Sequence, residues 1–557
     1  MTRLIECVPN FSEGRDMGLM KQITDAIESV DGVKLLDVDA GAATNRTVVT
    51  FVGEPEPVIE AAVRAAQKAA ELIDMSKHQG EHPRMGAMDV CPLIPIAGVT
   101  MNECVDYAKQ LGKRLAEEAG LTVFLYEYAA SKPERKNLAN IREGEYEGLA
   151  AKLSKAEWKA DFGPAKFNAR SGATAVGARD FLVAYNVNLN TTSTRRANAI
   201  AFDIREKGRP KTRDGKPVLD AKGEAVWEPG SLKAVKAIGW YIEEFGIAQI
   251  SINLTNLNVT PIHIAFDECC KKADVRGVRV TGSEIVGLVP LSAMLEAGKY
   301  FLRKQQRSVG VGDRELIKIA VKSLGLNDLY EFKPEEKIIE YAIAKDQKKK
   351  RLVDLTVEAF TELTASEAPA PGGGSVSALC GALGAALATM VANLSSHKRG
   401  WDERWEEFSR HAETGKKHWN RLLQLVDEDT EAFNVFMSAT AMPRGSDVEK
   451  QARKTAVQEA TIRAIETPLE VMEEALASMK VMRAMAETGM EASVSDAGVA
   501  ALCARTAVMG AHLNVRINAK SLDDKAAADG YLSRAVSLES QAVASEAVIL
   551  EIVTGKL

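Results

Sequence analysis

The sequence predicts an α/β fold of two tandem α/β subdomains with a ligand cleft between them, followed by an all-α helical domain. Three observations carry this reading. At 557 residues the chain is too long for one hydrophobic core. β-like and helical apolar patterns alternate through about the first 330 residues. From about residue 353, β-branched alternation gives way to Ala-, Glu-, Met- and Leu-rich helical patterns. The implied division is a first subdomain over 1–178, a second over 179–330, a linker over 331–352 and an all-α domain over 353–557.

The first subdomain opens with a strand at Leu4-Ile-Glu-Cys-Val8, a helix over roughly 17–30 and a strand over 33–39 that pairs with the β-branched run at 47–52. A helix over roughly 57–73, a strand at 90–96, a helix over roughly 102–119 and a strand at 121–126 complete a βαββαβ-like unit with additions. After the loop at 161–172 the second unit follows: a strand over 181–189, a helix over 195–204, strands near 233–242 and 247–254, a helix over 261–272 and a strand near 284–289. Residues 207–230, rich in Lys, Gly, Pro and Asp, read as an exposed hairpin or insertion. The charged run from Lys345 to Arg351 reads as a solvated helical linker. Residues 376–394 are long enough to cross a bilayer, but Ala and Gly dominate and no aromatic belt flanks them. With Ala378, Ala382 and Ala386 forming a small-residue stripe, the segment reads as a buried core helix and not a membrane span.

Net charge is −6 with acids and bases interspersed, which gives no electrostatic reason to expect a nucleic-acid partner. Seven scattered cysteines without a C-x-x-C pair argue against a disulfide framework or zinc ribbon and fit a reducing cytoplasm. The N-terminus, with Glu6 and Glu13 and no long apolar stretch, reads as a first strand and not a signal peptide.

Chemistry concentrates in a few loops. His78-Gln-Gly-Glu-His82 matches H-x-x-E-H, the pattern of inverted zinc peptidases. Pro83 pushes His82 toward an extended conformation and Gly80 weakens any helical turn, so the helix such a pair needs is lost and no metal is expected. A zinc-dependent hydrolase stands as one alternative, a noncatalytic binding or scaffold protein as another. Three loops can converge: 39–46, 78–89 and 161–172. Between them they supply an imidazole, carboxylates, and Arg46 to hold a carboxylate by paired hydrogen bonds. In the all-α domain, Ala370-Pro-Gly-Gly-Gly-Ser375 opens a helix with exposed backbone N–H groups suited to an anion, at Gly372, Gly373, Gly374 and Ser375. Asp427 and Asp429, two residues apart on a helix, sit roughly opposite each other, so one of them should face inward.

Glu6-Cys-Val-Pro-Asn-Phe-Ser-Glu-Gly14, Leu35-Leu-Asp-Val-Asp-Ala-Gly41 and Gly80-Glu-His-Pro-Arg-Met-Gly-Ala87 resemble glutamate formimidoyltransferases. The likeness continues through Asp161-Phe-Gly163, Gly239-Trp-Tyr241 and Leu288-Val-Pro-Leu291. With the Ala370–Ser377 and Asp427–Asp429 motifs following in order, the chain resembles the bifunctional formimidoyltransferase-cyclodeaminases. That resemblance implies transfer of a formimino group from N-formimino-L-glutamate to N5 of tetrahydrofolate, then cyclisation to 5,10-methenyltetrahydrofolate with loss of ammonia, in histidine breakdown. It implies His82 as the catalytic histidine and Asp429 as the active carboxyl, with Asp39 and Arg46 as substrate-binding partners. It implies folate contacts at Gly163, Pro164, Ala165, Lys166, Phe167, Asn168, Ala169, Arg170, Ser171 and Gly172. Tetrahydrofolate is then a co-substrate with a polyglutamylated tail, and the protein a homo-oligomer built from dimers. His78 is the lesser member of the histidine pair: its replacement should only weaken transfer. Residues 207–230 depart from the resemblance, being longer and more charged than animal members lead one to expect.

Overall fold

The computed structural model describes residues 3–41, 45–80, 83–164, 166–213, 216–220, 222–243, 245–344 and 351–557. His82, Glu81, Ala165 and residues 345–350 of the charged linker lie outside them.

Among the described residues, the first subdomain is a seven-stranded sheet: β1 (Leu4–Cys7), β2 (Asn10–Phe11), β3 (Val33–Gly41), β4 (Arg46–Gly53), β5 (Met88–Ala97), β6 (Thr122–Glu127) and β7 (Ala173–Ala178). Pro9, which has no N–H to donate, falls between β1 and β2, and both lie between β4 and β5 as an interrupted strand. β7 runs parallel to both β5 and β6, while the other pairs are antiparallel. β7 carries little signal in the sequence, because Ala-Thr-Ala-Val-Gly-Ala has only two β-branched residues, Thr174 and Val176, among Ala and Gly. The strand is buried along its whole length, and Gly177 admits the Tyr126 carbonyl where a Cβ would lie 2.4 Å from it.

Helices α1 (Met17–Glu28), α2 (Pro55–Leu72) and α3 (Met101–Glu118) bury their apolar stripes on one face of this sheet, with Ile5, Cys7, Phe51 and Leu93 at the centre. Two short helices, α4 (Leu138–Arg142) and α5 (Glu145–Leu153), cover part of the other face over Val90, Phe124 and Ala175.

The second subdomain is a four-stranded antiparallel sheet in the order β13-β14-β8-β15: β8 (Val183–Leu189), β13 (Val235–Ile242), β14 (Ile247–Leu254) and β15 (Val280–Val286). Between β8 and β13 come α6 (Thr194–Ile204) and two small ladders within 207–230: β9 (Arg209–Pro210) with β12 (Trp227–Glu228), and β10 (Thr212–Arg213) with β11 (Lys216–Pro217). Helix α7 (Ile262–Asp274) follows β14. β15 begins four residues earlier than expected and stops before Gly287, whose φ of 77° leaves the strand region.

The 331–352 stretch, expected as a linker, is partly structured. α10 (Pro334–Lys337) and α11 (Ile339–Ala344) flank Ile338, which bridges in parallel to Val289 and is fully buried. The segment 294–323, holding most of α8 (Leu291–Lys304) and α9 (Asp313–Leu324), belongs instead to the compact unit of the C-terminal helices. Val309 N–H donates to Ser409 Oγ at 3.2 Å, and Lys416 pairs with Asp313 at 2.7 Å.

That unit otherwise comprises α12 (Val357–Thr364), α13 (Gly373–Ser395), α14 (Trp405–Thr440), α15 (Asp447–Thr488), α16 (Val494–Ala519) and α17 (Lys525–Thr554). α13 is long and apolar enough to cross a membrane, yet most of its apolar stretch is buried in this bundle, where it packs against α14 and α16. Its buried stripe runs through Ala378, Gly381, Ala382, Ala385 and Ala388, so Ala385 and not Ala386 continues it. A Cβ on Gly415 of α14 would lie 2.3 Å from Thr389 Oγ1, so the α13–α14 crossing depends on the missing side chain.

Candidate functional site

In the α/β unit, three loops meet at Asn45. Its φ of 46° lies in the left-handed region that asparagine tolerates. Its side chain accepts from Gly14 N–H at 3.0 Å and donates to the Gln79 carbonyl at 2.9 Å, while its own carbonyl lies 2.8 Å from His78 Nε2. One residue thereby ties the 6–14 segment, the β3–β4 loop and the histidine loop together.

The 163–172 segment joins the same group. Gly172 bridges Gly86, Ala87 N–H donates to the Ser171 carbonyl at 2.9 Å, and Met75 N–H donates to the Arg170 carbonyl at 2.9 Å. Asn168 Oδ1 accepts from the amides of Arg170 and Ser171, and the Phe167 ring lies against Tyr146 at 5.5 Å. Gly172, with φ of 66°, leaves no room for a side chain: a Cβ would lie 2.1 Å from the Met85 carbonyl oxygen. An open cavity of about 720 Å³ lies between the histidine loop and Gly144–Glu147, with His78, Arg84 and Tyr146 on its walls.

His78 is engaged at both ring nitrogens. Nδ1 accepts from Arg84 Nε–H at 3.1 Å, which leaves Nε2 as the protonated nitrogen that donates to the Asn45 carbonyl. Arg84 is 7% exposed and is itself held by Glu145 and Glu147. A ring so committed has neither a lone pair for zinc nor a free position for proton transfer, so the zinc-hydrolase alternative loses its first ligand.

Asp39 and Arg46 share one face of the sheet across the β3–β4 pair, where Asp39 stands opposite Val48 and Gly41 opposite Arg46. Burial and the neighbouring Arg142 guanidinium hold Arg46 below its ordinary pKa, against the pull of Asp89 and Asp39. Asp89 is buried, accepts from Met85 N–H at 2.8 Å and pairs with Arg142. Glu6, opposite Val52 in the register, lies on this same face and was missed by the sequence reading, being flanked by the core residues Ile5 and Cys7. It is 4% exposed, and burial pushes its carboxyl up to about 7 against the opposing charge of Arg179.

The helical unit holds a second, more enclosed site. Asp429, Phe433 and Phe436 fall at i, i+4 and i+7 on α14 and line a cavity of about 200 Å³ together with the Gly372–Gly374 turn at the start of α13. Asp429 Oδ2 accepts from Ser375 O–H at 2.9 Å, and Ser375 Oγ lies 3.2 Å from Thr430 Oγ1. Gly374 is required here: a Cβ would stand 2.0 Å from Asp429 Oδ1. Burial raises the Asp429 pKa, and hydrogen bonds from the Ser375 side chain and backbone only partly offset it. The acceptor that Ser375 serves is thus the protein's own Asp429. Asp427 turns elsewhere, accepting from Leu352 N–H at 2.6 Å. Asn514 and Asn518 of α16 complete the lining, Asn514 beside Gly373 of the turn, and no sequence motif marks either.

Fold and sites define an enzyme of two modules, an α/β unit with a histidine-loop site and a helical unit with a buried-carboxyl site. Family models match in the same order. The N-terminal subdomain of the formiminotransferase domain matches residues 4–179, the formiminotransferase domain 184–344, and formiminotransferase-cyclodeaminase 356–537. The formimidoyltransferase-cyclodeaminase of Rattus norvegicus is 42% identical over 550 residues, covering 99% of this chain and 98% of that protein. The glutamate formimidoyltransferase of Streptococcus pyogenes serotype M1 is 41% identical over 303 residues, 54% of this chain and 94% of that one. The methenyltetrahydrofolate cyclohydrolase of Methylorubrum extorquens is 37% identical over 202 residues, 36% of this chain and 97% of that one. The chain belongs to the formimidoyltransferase-cyclodeaminase family.

Proposed function

We propose that the α/β unit moves the formimino group of N-formimino-L-glutamate to N5 of tetrahydrofolate, and that the helical unit cyclises the product to 5,10-methenyltetrahydrofolate with release of ammonia. In the first step N5 attacks the amidine carbon, the bond from that carbon to the glutamate nitrogen breaks, and the nitrogen leaves with a proton. His82 is the proton carrier, Asp39 and Arg46 hold the glutamate substrate, and residues 163–172 contact the folate. Support comes from the convergence of these loops on Asn45 and Gly86, and from His78 being committed to the loop itself.

In the second step N10 attacks the same carbon, the carbon–nitrogen bond to the former imino group breaks, and ammonia departs. One buried carboxyl can take the N10 proton and return it to the leaving nitrogen, and Asp429 is that group. The observation that carries this reading is a carboxyl raised by burial inside a cavity of ring-system size, against a glycine turn shaped to its oxygens. The histidine-breakdown context, the polyglutamylated tail and a reducing cytoplasmic setting, which suits seven free cysteines, belong to the same proposal.

Reciprocal variants test it. His82→Ala should abolish transfer while leaving ammonia release from supplied 5-formiminotetrahydrofolate, and Asp429→Asn should do the reverse. Loss of both activities from either change in a folded protein contradicts the two-site assignment.

A further inference from the structure

Asn514 and Asn518 lie one turn apart on α16, both on the wall of the cavity that holds Asp429. Each is anchored by its amide nitrogen: Asn514 Nδ2 donates to the Gly510 carbonyl at 3.0 Å and Asn518 Nδ2 to the Ala464 carbonyl at 2.7 Å. A backbone carbonyl can only accept, so the assignment of nitrogen and oxygen in both side chains is fixed by chemistry. Among the described residues, neither Oδ1 receives a hydrogen bond, each side chain being held through its Nδ2 alone. Phe433 and Phe436, also in the lining, supply flat apolar surface. The cavity therefore presents two fixed acceptors, an aromatic side and one carboxyl.

We propose that Asn514 and Asn518 form the subsite for the pteridine ring of the folate, their Oδ1 atoms accepting from the ring's 2-amino and N3–H groups while Phe433 and Phe436 flank its face. This rests on reading the cavity as the cyclodeaminase site and extends it to specificity. A reduced pteridine carries its N–H donors along one edge, and a site built to satisfy such donors discriminates strongly against an analogue that lacks one. The cavity, at about 200 Å³, holds one ring system and leaves the aminobenzoyl-glutamate tail to leave by the mouth. Cyclisation at Asp429 requires the N5–N10 edge of a ring so held to face that carboxyl of the same cavity.

The test is inhibition of ammonia release by the full-length protein turning over supplied 5-formiminotetrahydrofolate, a readout blind to the transferase's own folate site. The probes are 6-methyltetrahydropterin, its 2-desamino-2-methyl analogue and p-aminobenzoylglutamate. The wild type should bind the desamino analogue about 10-fold more weakly than the pterin, the worth of one buried hydrogen bond. Asn514→Ala or Asn518→Ala should raise the Ki of the pterin and the KM of the substrate about 10-fold, abolish or reduce discrimination between the two pterins, and leave the Ki of p-aminobenzoylglutamate within twofold. Wild-type indifference to the 2-amino group overturns the proposal, as does full discrimination surviving in both variants. Loss of ammonia release in Asp429→Asn is a separate result: its absence would sink the reading of the site, while the Asn results would sink only the subsite.

Discussion

At the scale of single residues, burial decides the chemistry more than charge pairing does. Glu6 and Asp429 both sit where desolvation outweighs the nearest compensating group, Arg179 for one and Ser375 for the other. For Glu6 the linkage has a definite sign. Its carboxyl ionises near 4.5 when unfolded but only near 7 when folded. Its contribution to stability is therefore intact below about pH 4.5 and is lost as pH rises to about 7, by roughly 3 kcal/mol when complete. Glu6→Gln should raise the urea midpoint of the α/β unit at pH 8 and leave it nearly unchanged at pH 4; equal effects at both pH values contradict this. Ser375→Ala removes a bond that favours the ionised form of Asp429. The acid limb of ammonia release should move to higher pH in that variant, and a pH–rate profile identical to wild type would dismiss the contact. Asp429 and the glycine turn were legible in the sequence as motifs. Asn514, Asn518 and Glu6 were not, because each sits in a helix or strand whose local pattern is ordinary and acquires meaning only from what lies across a cavity or sheet face.

At the scale of elements, legibility followed amphipathic contrast. α1, α2 and α3 alternate clearly between apolar and polar faces and were found close to their true bounds. β7 was invisible because a strand buried on both faces by small residues has neither alternation nor bulk. α13 shows the converse problem: a small-residue core helix has the hydropathy of a membrane span, and only its contacts identify it. Its packing gives a direct test at Gly415. An alanine there gains about 1 kcal/mol of helix propensity but forces its Cβ against a rigid, β-branched Thr389, which costs about 1–3 kcal/mol. Gly415→Ala should therefore lower the melting temperature of the helical unit, and Thr389→Ala in the same chain should restore it. If the double variant melts no higher than Gly415→Ala, the crossing is not limited by that contact.

At the scale of the whole molecule, the chain divides into two compact units, and each proposed site lies within one of them. The division does not follow the sequence order expected of a simple fusion. Residues 294–323 join the helical unit and 324–345 return to the α/β unit, because Val309 and Asp313 find partners on α14 while Ile338 finds Val289. Composition marks where β patterns stop but cannot reveal such a return, since a helix that packs on a bundle and one that packs on a sheet read alike. The central claim is that one chain runs two sequential reactions at two separate sites. It is tested most directly by giving full-length Asp429→Asn both N-formimino-L-glutamate and tetrahydrofolate, and following free glutamate, ammonia and methenyltetrahydrofolate absorbance together. The prediction is that glutamate appears at the wild-type rate while neither ammonia nor methenyltetrahydrofolate forms; ammonia and methenyltetrahydrofolate forming at the wild-type rate would contradict it.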